Sequence, residues 1–515
     1  MLKNLIRKFR LYIWTTRDDK NFYSFVNKVY PQSADTEEMV TLVDFTHLGF
    51  KRWNIQLLCT LLGISSVEKR KIIAFYPSYF FIWNTFQSKA IWILKKIFNK
   101  DKNIFKLMNV NDVITPSYFS FIRSKNKKYT FKTKEDVLSF EYSNIKIGDL
   151  VYDSYLKENR KATVDIHSKE LELIINKACF LMDYYNKEFC KHDIKEVYLT
   201  HAVYLCYGIA ARVALSHGAK VFVTQNTRGK ELHRLSIEHP LQTPDFSSYP
   251  ATFDELSSPS LCIEESRKEL ENRFEGVINS SISYMRQSAY SDISSTLTCF
   301  SEEYDNLLIM LHCFFDSPHI YKSMLYPDFY EWAEDTIDVA LSSGKKVFIK
   351  EHPNGMPGND RIIQELKNKY KDVTFLDKKT SNLSIMRCKI DCVASVYGTL
   401  GHEFPYKNIP VINAGENPHS AFDFCYNPVT IEEYRSLIRK VGKLDKPSLK
   451  DKEDILKFYY IHNIHNGQGV NQHINKSIIE KFQPKAEYNG MLTVLEELDL
   501  SSFIEASKTS YLSVR

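Results

Sequence analysis

Along this chain, apolar runs and helical stripes take turns. In "EEMVTLVDFTHLGFKRWNIQLLCTLLG" a β-branched run passes through a short polar break into apolar positions spaced three and four apart, and "KRKIIAFYP" then returns to a strand. The order recurs with a helix near 168–190, a strand "EVYLT" (196–200), a helix over 203–217 carrying the small residues Gly208, Ala210 and Ala211, and a strand "KVFVT" (220–224). Residues 242–260 are rich in Pro, Ser and Thr and predict a loop, and a polar helix is expected near 262–288. From "NLLIMLHCFF" (306–315) the alternation restarts: a helix at 329–342, strand "KVFIK", a helix near 360–370, strand "VTFL", a short helix near 381–387, strand "DCVAS", a helix at 399–407 and strand "PVIN". Strands alternating with helices predict parallel sheets covered on both faces. The fold class expected is α/β, with two doubly wound parallel-sheet units facing a cleft. Their spans are 1–290 and 291–450, with a helical tail over 451–515.

At 515 residues and 43% apolar composition the chain has material for more than one core. The units are Rossmann-like without a dinucleotide fingerprint. Neither G-x-G-x-x-G nor G-x-x-x-x-G-K-[ST] occurs, and there are 17 glycines in all, which argues against dehydrogenases and P-loop enzymes. The ten cysteines form no C-x-x-C pair, and Cys388 and Cys392 have no neighbours to complete a zinc set, so a reducing, cytoplasmic setting is expected. No window offers the roughly 18 uncharged apolar residues a membrane span needs. The start "MLKNLIRKFRLYIW" is too charged and too short for a secretory signal.

The net charge of +5 conceals an asymmetry, because residues 1–134 carry 24 Lys and Arg against 9 Asp and Glu. In the first segment Leu5, Ile6, Phe9 and Ile13 make an apolar stripe flanked by cations, and Leu94, Ile97, Phe98, Ile104, Phe105 and Met108 make another. With the cationic "RSKNKKYTFKTK" that follows, they predict contact with an anionic membrane surface, at the inner face of the cytoplasmic membrane. The other reading is a stripe packed inside with solvated lysines. Nothing resembles a nucleic-acid-binding module, so no nucleic acid is expected as partner.

Candidate chemistry gathers at strand ends, where parallel sheets bind ligands. In "KVFIKEHPNG" the strand ends at His352, and Pro353 turns the chain out of the sheet and fixes the direction of the imidazole. Lys350 shares the strand face of His352. The second His-Pro pair, at His239, follows no strand and reads as loop. In "DCVASVYGTLGHEFPYKNIPVIN" a strand ends at Ser395, Gly398 permits a tight turn, Thr399 is placed to cap the next helix, and Glu403 is placed to accept from a ribose or sugar hydroxyl. "FFDSPH" brings Asp316 and His319 to the edge of the same cleft.

The K-x-H-P pair, followed about forty residues on by S-x-x-G-T-x-x-x-E and a proline-led strand, resembles the donor-binding domain of GT-B glycosyltransferases of bacterial capsule and lipopolysaccharide synthesis. It is most similar to capsule polysaccharide biosynthesis proteins and to Kdo, sialic acid and polysialic acid transferases. The resemblance spans about 300–430. It implies a metal-independent glycosyltransferase with no cofactor, moving a sugar from a nucleotide-sugar donor, CMP-linked, to a lipid-linked or polysaccharide acceptor. His352, Ser395, Thr399 and the Gly398 turn would hold the donor phosphate, with Lys350 adding charge and Glu403 binding hydroxyls. CDP-glycerol phosphotransferases of teichoic acid synthesis share similar motifs, so a CDP-polyol phosphotransferase is one alternative. A non-catalytic scaffold of polysaccharide assembly is another.

A general base for the acceptor hydroxyl is expected from the first unit. Asp153 is the first choice and His47 the second, with Asp149, His201 and Glu231 also near strand ends or glycines. His462 and His465 lack a carboxylate or cysteine to complete a metal set, and a hydrogen-bonded loop is expected there.

Overall fold

The structure is a computed structural model, and it describes residues 39–46, 61–82 apart from 62, 66, 69 and 78, 110–223 apart from 111, 125 and 126, 232–276, and 302–465 apart from 353 and 354, with Arg17, Lys20, Asn21, Ser24, Tyr290, Phe300, Glu505, Lys508, Thr509 and 511–513. The amphipathic stripes at 5–13 and 94–108, and the candidates His47 and Glu231, lie outside the described residues.

Two sheets form. The first has the order β3-β2-β1-β6-β7-β8, built from β1 (Met39–Asp44), β2 (Arg70–Phe75), β3 (Val113–Ile114), β6 (Glu196–Leu199), β7 (Lys220–Val223) and β8 (His233–Leu235). All its pairs are parallel except β7 with β8. A two-stranded hairpin, β4 (Glu141–Tyr142) with β5 (Ile145–Lys146), stands apart. The second sheet is wholly parallel, with the order β11-β10-β9-β12-β13, from β9 (Asn306–Met310), β10 (Lys346–Lys350), β11 (Thr374–Phe375), β12 (Cys392–Ser395) and β13 (Val411–Asn413). The chain is therefore α/β with two doubly wound parallel-sheet units, as the alternation predicts. The uninterrupted apolar runs follow from burial on both faces. Val347 and Ile349 of β10 meet Trp332 and Ile337 on one side, while Phe348 meets Ile385 and Phe404 on the other.

The helices Tyr249–Asp254 and Pro259–Phe274 fall within the span expected to belong to the first unit. They pack instead with the helix Leu449–Tyr459, through Phe253, Leu270 and Phe274 in one cluster with Ile455, Leu456 and Phe458. Tyr511 returns to the first sheet, where its hydroxyl donates to Glu196 Oε1 at 2.8 Å and accepts from Arg70 at 3.0 Å. The helix Gly148–Asn159 has Asp153 and Ser154 among its buried residues and lies against the second unit's turn Pro318–Ile320. Loops leaving the carboxyl ends of β6 and β9 meet there, since Tyr204 donates to Asp316. The carboxyl ends of the two sheets thus face each other.

Candidate functional site

Met310 and Lys350 are register partners on β9 and β10, so His312 and His352, each two residues on, occupy matching places past neighbouring strands. His352 is solvent-exposed at the cleft. Burial by the cleft walls still holds its imidazole below the ordinary value, with Asp316 pulling it up and Lys350 pushing it further down. Lys350 is 2% exposed and, among the described residues, makes no ion pair. Burial pushes its ammonium down to about 8, against the upward pull of Glu351 and Glu403. A desolvated cation beside an exposed imidazole, without an ion-pair partner among the described residues, is an arrangement able to attract an anion.

His312 does different work. Its Nε2 accepts the Tyr397 N–H at 3.1 Å, and its ring stacks on Phe329 with centroids 4.5 Å apart. Burial, with His352 nearby, pushes it down to about 3, so it is neutral and carries its proton on Nδ1. The sequence reading passed over it, although the signal is that of His352: a histidine two residues past a buried strand.

Three residues of the Ser/Thr motif are engaged within the fold. Ser395 is fully buried, its hydroxyl 3.3 Å from the Met310 carbonyl and 3.2 Å from that of Tyr397, so it fixes the strand end and does not face a ligand. Thr399 caps nothing, because its backbone is already helical (φ −65°, ψ −22°) and its hydroxyl accepts from Arg273 at 3.3 Å. Glu403 is 1% exposed, with Arg273 Nε 2.5 Å from one oxygen and the Tyr290 hydroxyl 2.6 Å from the other, so it is packed away from solvent. The Gly398 turn is as expected, with φ +120° and open space where a Cβ would stand. Its N–H is taken by Asn417 Oδ1 at 3.0 Å. The amides of 397 and 398 are thus engaged within the fold, while His352 and Lys350 stand past the neighbouring strand.

Beside the turn lies a cavity of about 200 Å³ lined by Thr243, Phe246, Tyr321, Thr399, His402 and His462, among others. Its aromatic and imidazole walls suit a flat, partly polar ring. The Nδ1 of His462 lies 3.1 Å from the Tyr249 hydroxyl, and the ring stacks on Phe458. Among the described residues no cluster of three or more His, Cys, Asp or Glu is placed to hold a metal ion.

From the first unit, Asp153 reaches across the cleft to His319. Its Oδ1 is 2.6 Å from His319 Nδ1, and its Oδ2 accepts the His319 N–H at 3.3 Å. Burial alone would lower the His319 pKa, but the hydrogen-bonded Asp153, with Asp149 behind it, carries it above its ordinary value. His319 Nε2 is buried and, among the described residues, has no hydrogen-bond partner. Two residues assigned separately, one to the base and one to the donor, thus form a single pair in which a carboxylate orients an imidazole. Asp149 is engaged elsewhere: Arg212 holds both its oxygens, at 2.6 and 2.5 Å, tying helix Gly148–Asn159 to helix Ile209–Ser216. His201 Nδ1 lies 3.2 Å from the Thr200 hydroxyl, beside Asp44, which gathers Thr46 and Thr200 and ties the ends of β1 and β6. Asp316 is exposed and accepts from Tyr204 at 3.3 Å. Lys157, pushed down to about 8 by burial, stands 3.5 Å above the Tyr204 ring. Tyr204 holds a left-handed backbone (φ +60°), a strained conformation of the kind that collects at functional clefts.

No family model matches the chain, and no curated relative matches it. Among solved structures, it is similar to Thermosulfurimonas dismutans KpsC, described as a beta Kdo 2,4 transferase, at 10% identity and a TM-score of 0.29 over 51% of this chain and 87% of that one. It is also similar to UDP-GlcNAc 2-epimerase from Neisseria meningitidis bound to UDP-GlcNAc, at 10% identity and a TM-score of 0.23 over 86% and 99%. The glycotransferase of kitacinnamycin gives 8% identity and a TM-score of 0.20 over 90% and 99%. Overlaps this loose carry nothing about substrate.

Proposed function

We propose that this chain is a GT-B glycosyltransferase that moves a sugar from a CMP-linked donor to a lipid-linked or growing surface glycan at the inner face of the cytoplasmic membrane. The observation that carries the reading is a buried ammonium, Lys350, that makes no ion pair among the described residues, beside the exposed His352 at one wall of a cleft across which Asp153 of the other wall pairs with His319. In this reading the donor phosphate sits against Lys350 and His352. The bond from the anomeric carbon to the phosphate oxygen breaks, CMP leaves with the electron pair, and the two fixed groups stabilise its developing charge. The acceptor oxygen forms the new bond to the anomeric carbon and loses its proton to the base, the Asp153–His319 pair acting as one unit. The aromatic-lined cavity beside Gly398 then accommodates the base of the nucleotide.

Thermal-shift measurements with CMP, CDP, UDP and GDP test this directly. The expected result is stabilisation by the cytidine nucleotides, lost in His352→Ala. A preference for UDP or GDP removes the cytidine assignment. Equal shifts in the wild type and His352→Ala remove the phosphate site.

A further inference from the structure

We propose that the helix Tyr118–Ile122 docks the first unit onto an anionic lipid bilayer. Five residues long, it presents Tyr118, Phe119 and Ile122 to solvent at 37%, 61% and 57% exposure, while Phe121 points inward at 7%. A single exposed apolar side chain needs no explanation, but three within five residues form a patch. Nor is this a loose end of the fold. Ser117 caps the helix, the Tyr118 ring lies 4.6 Å from that of Phe80, and Phe121 sits against Phe80, Phe81 and Phe180. Just before it, the Thr115 N–H donates to the Tyr184 hydroxyl at 3.2 Å. The apolar knuckle is held out on a rigid aromatic platform.

The surrounding charge selects the partner. Residues 113–134 contain six cations, Arg123, Lys125, Lys127, Lys128, Lys132 and Lys134, and no acidic residue. Lys134 is engaged by Glu331 and Lys127 by the Tyr142 hydroxyl, whereas Arg123, Lys128 and Lys132 are exposed and, among the described residues, make no ion pair. Stable protein partners need about 800 Å² a side, far more than three side chains offer. A bilayer interface asks for less: a shallow apolar insertion flanked by diffuse positive charge. The helix follows β3, the edge strand, at the carboxyl end of the first sheet. That is the end that faces the cleft, so docking would set the lipid surface beside the cleft mouth. The inference rests on the membrane placement proposed above and deepens it by naming the docking face; it does not depend on the chemistry proposed for the cleft.

Flotation of the full chain tests it, with vesicles of phosphatidylglycerol and phosphatidylcholine in equal parts against pure phosphatidylcholine. At about 0.1 M salt the wild type should rise with the anionic vesicles and should release at about 0.5 M. Phe119→Ser with Ile122→Ser should lower the partition constant by roughly tenfold or more without moving the melting temperature. Anionic vesicles should also slow hydrogen exchange over 115–124. A wild type that ignores anionic vesicles, a double variant that floats equally well, or exchange over 115–124 unchanged by vesicles would each overturn the proposal. None of these results would touch the nucleotide site.

Discussion

His312 and His352 stand at matching positions past neighbouring strands of one sheet, and they do opposite jobs. His312 is turned inward, neutral, stacked on Phe329 and spent on holding the Tyr397 amide, and so it shapes the turn that carries Gly398. His352 is exposed beside a lysine that makes no ion pair among the described residues. The difference teaches that a strand-end histidine becomes a ligand-facing group through what the fold leaves unsatisfied around it. Position alone does not decide it.

Substitutions should separate the two. His352→Ala is expected to weaken CMP binding by on the order of a hundredfold, the loss of a hydrogen bond to a charged group, while the melting temperature of the free protein stays put. His312→Ala should do the reverse, costing roughly 2 kcal/mol or more in denaturant unfolding through an orphaned amide and a lost ring contact, with CMP affinity little changed in the folded fraction. Exchanged phenotypes would break the comparison. Lys350→Met sharpens it further. Removing a buried ammonium that makes no ion pair among the described residues should raise stability by about 1 kcal/mol and weaken nucleotide binding at the same time, a trade expected of a site and not of a core. A stability loss on calorimetry would place a partner on Lys350.

The smallest effect is in pH dependence. In the unfolded chain the His312 imidazole takes up a proton near 6.5, and in the fold only near 3. Across that window protons favour the unfolded chain, so stability falls as pH drops through it. His419, pushed down to about 3 by burial and by His402, acts in the same direction. His312→Gln keeps an acceptor for the Tyr397 amide without a titrating ring, and melting temperatures from pH 7 to pH 4 should fall less steeply in it than in the wild type. An unchanged slope would mean that His312 titrates normally in the fold.

The central strands were legible because burial on both faces demands uninterrupted β-branched and aromatic runs, as in Val347, Phe348 and Ile349. Edge strands β3 and β8, two and three residues long, leave too little pattern to read. Helix Gly148–Asn159 escaped notice because it buries Asp153 and Ser154 along with its leucines, so its polar and apolar positions do not separate. In the site, His352 could be read from a strand end and a proline. The sealing of Glu403 could not, since its partner Arg273 comes from a helix 130 residues earlier. The same holds for Asp153 and His319: each residue stood out alone, but their pairing across 166 residues is a product of the lobes meeting.

The most direct test is a crystal structure of the protein soaked with CMP. The account predicts a phosphate oxygen within hydrogen-bond distance of the His352 ring and of the Lys350 ammonium, with the cytosine in the cavity beside Gly398. A phosphate bound elsewhere, with Lys350 and His352 unchanged and untouched, would contradict it.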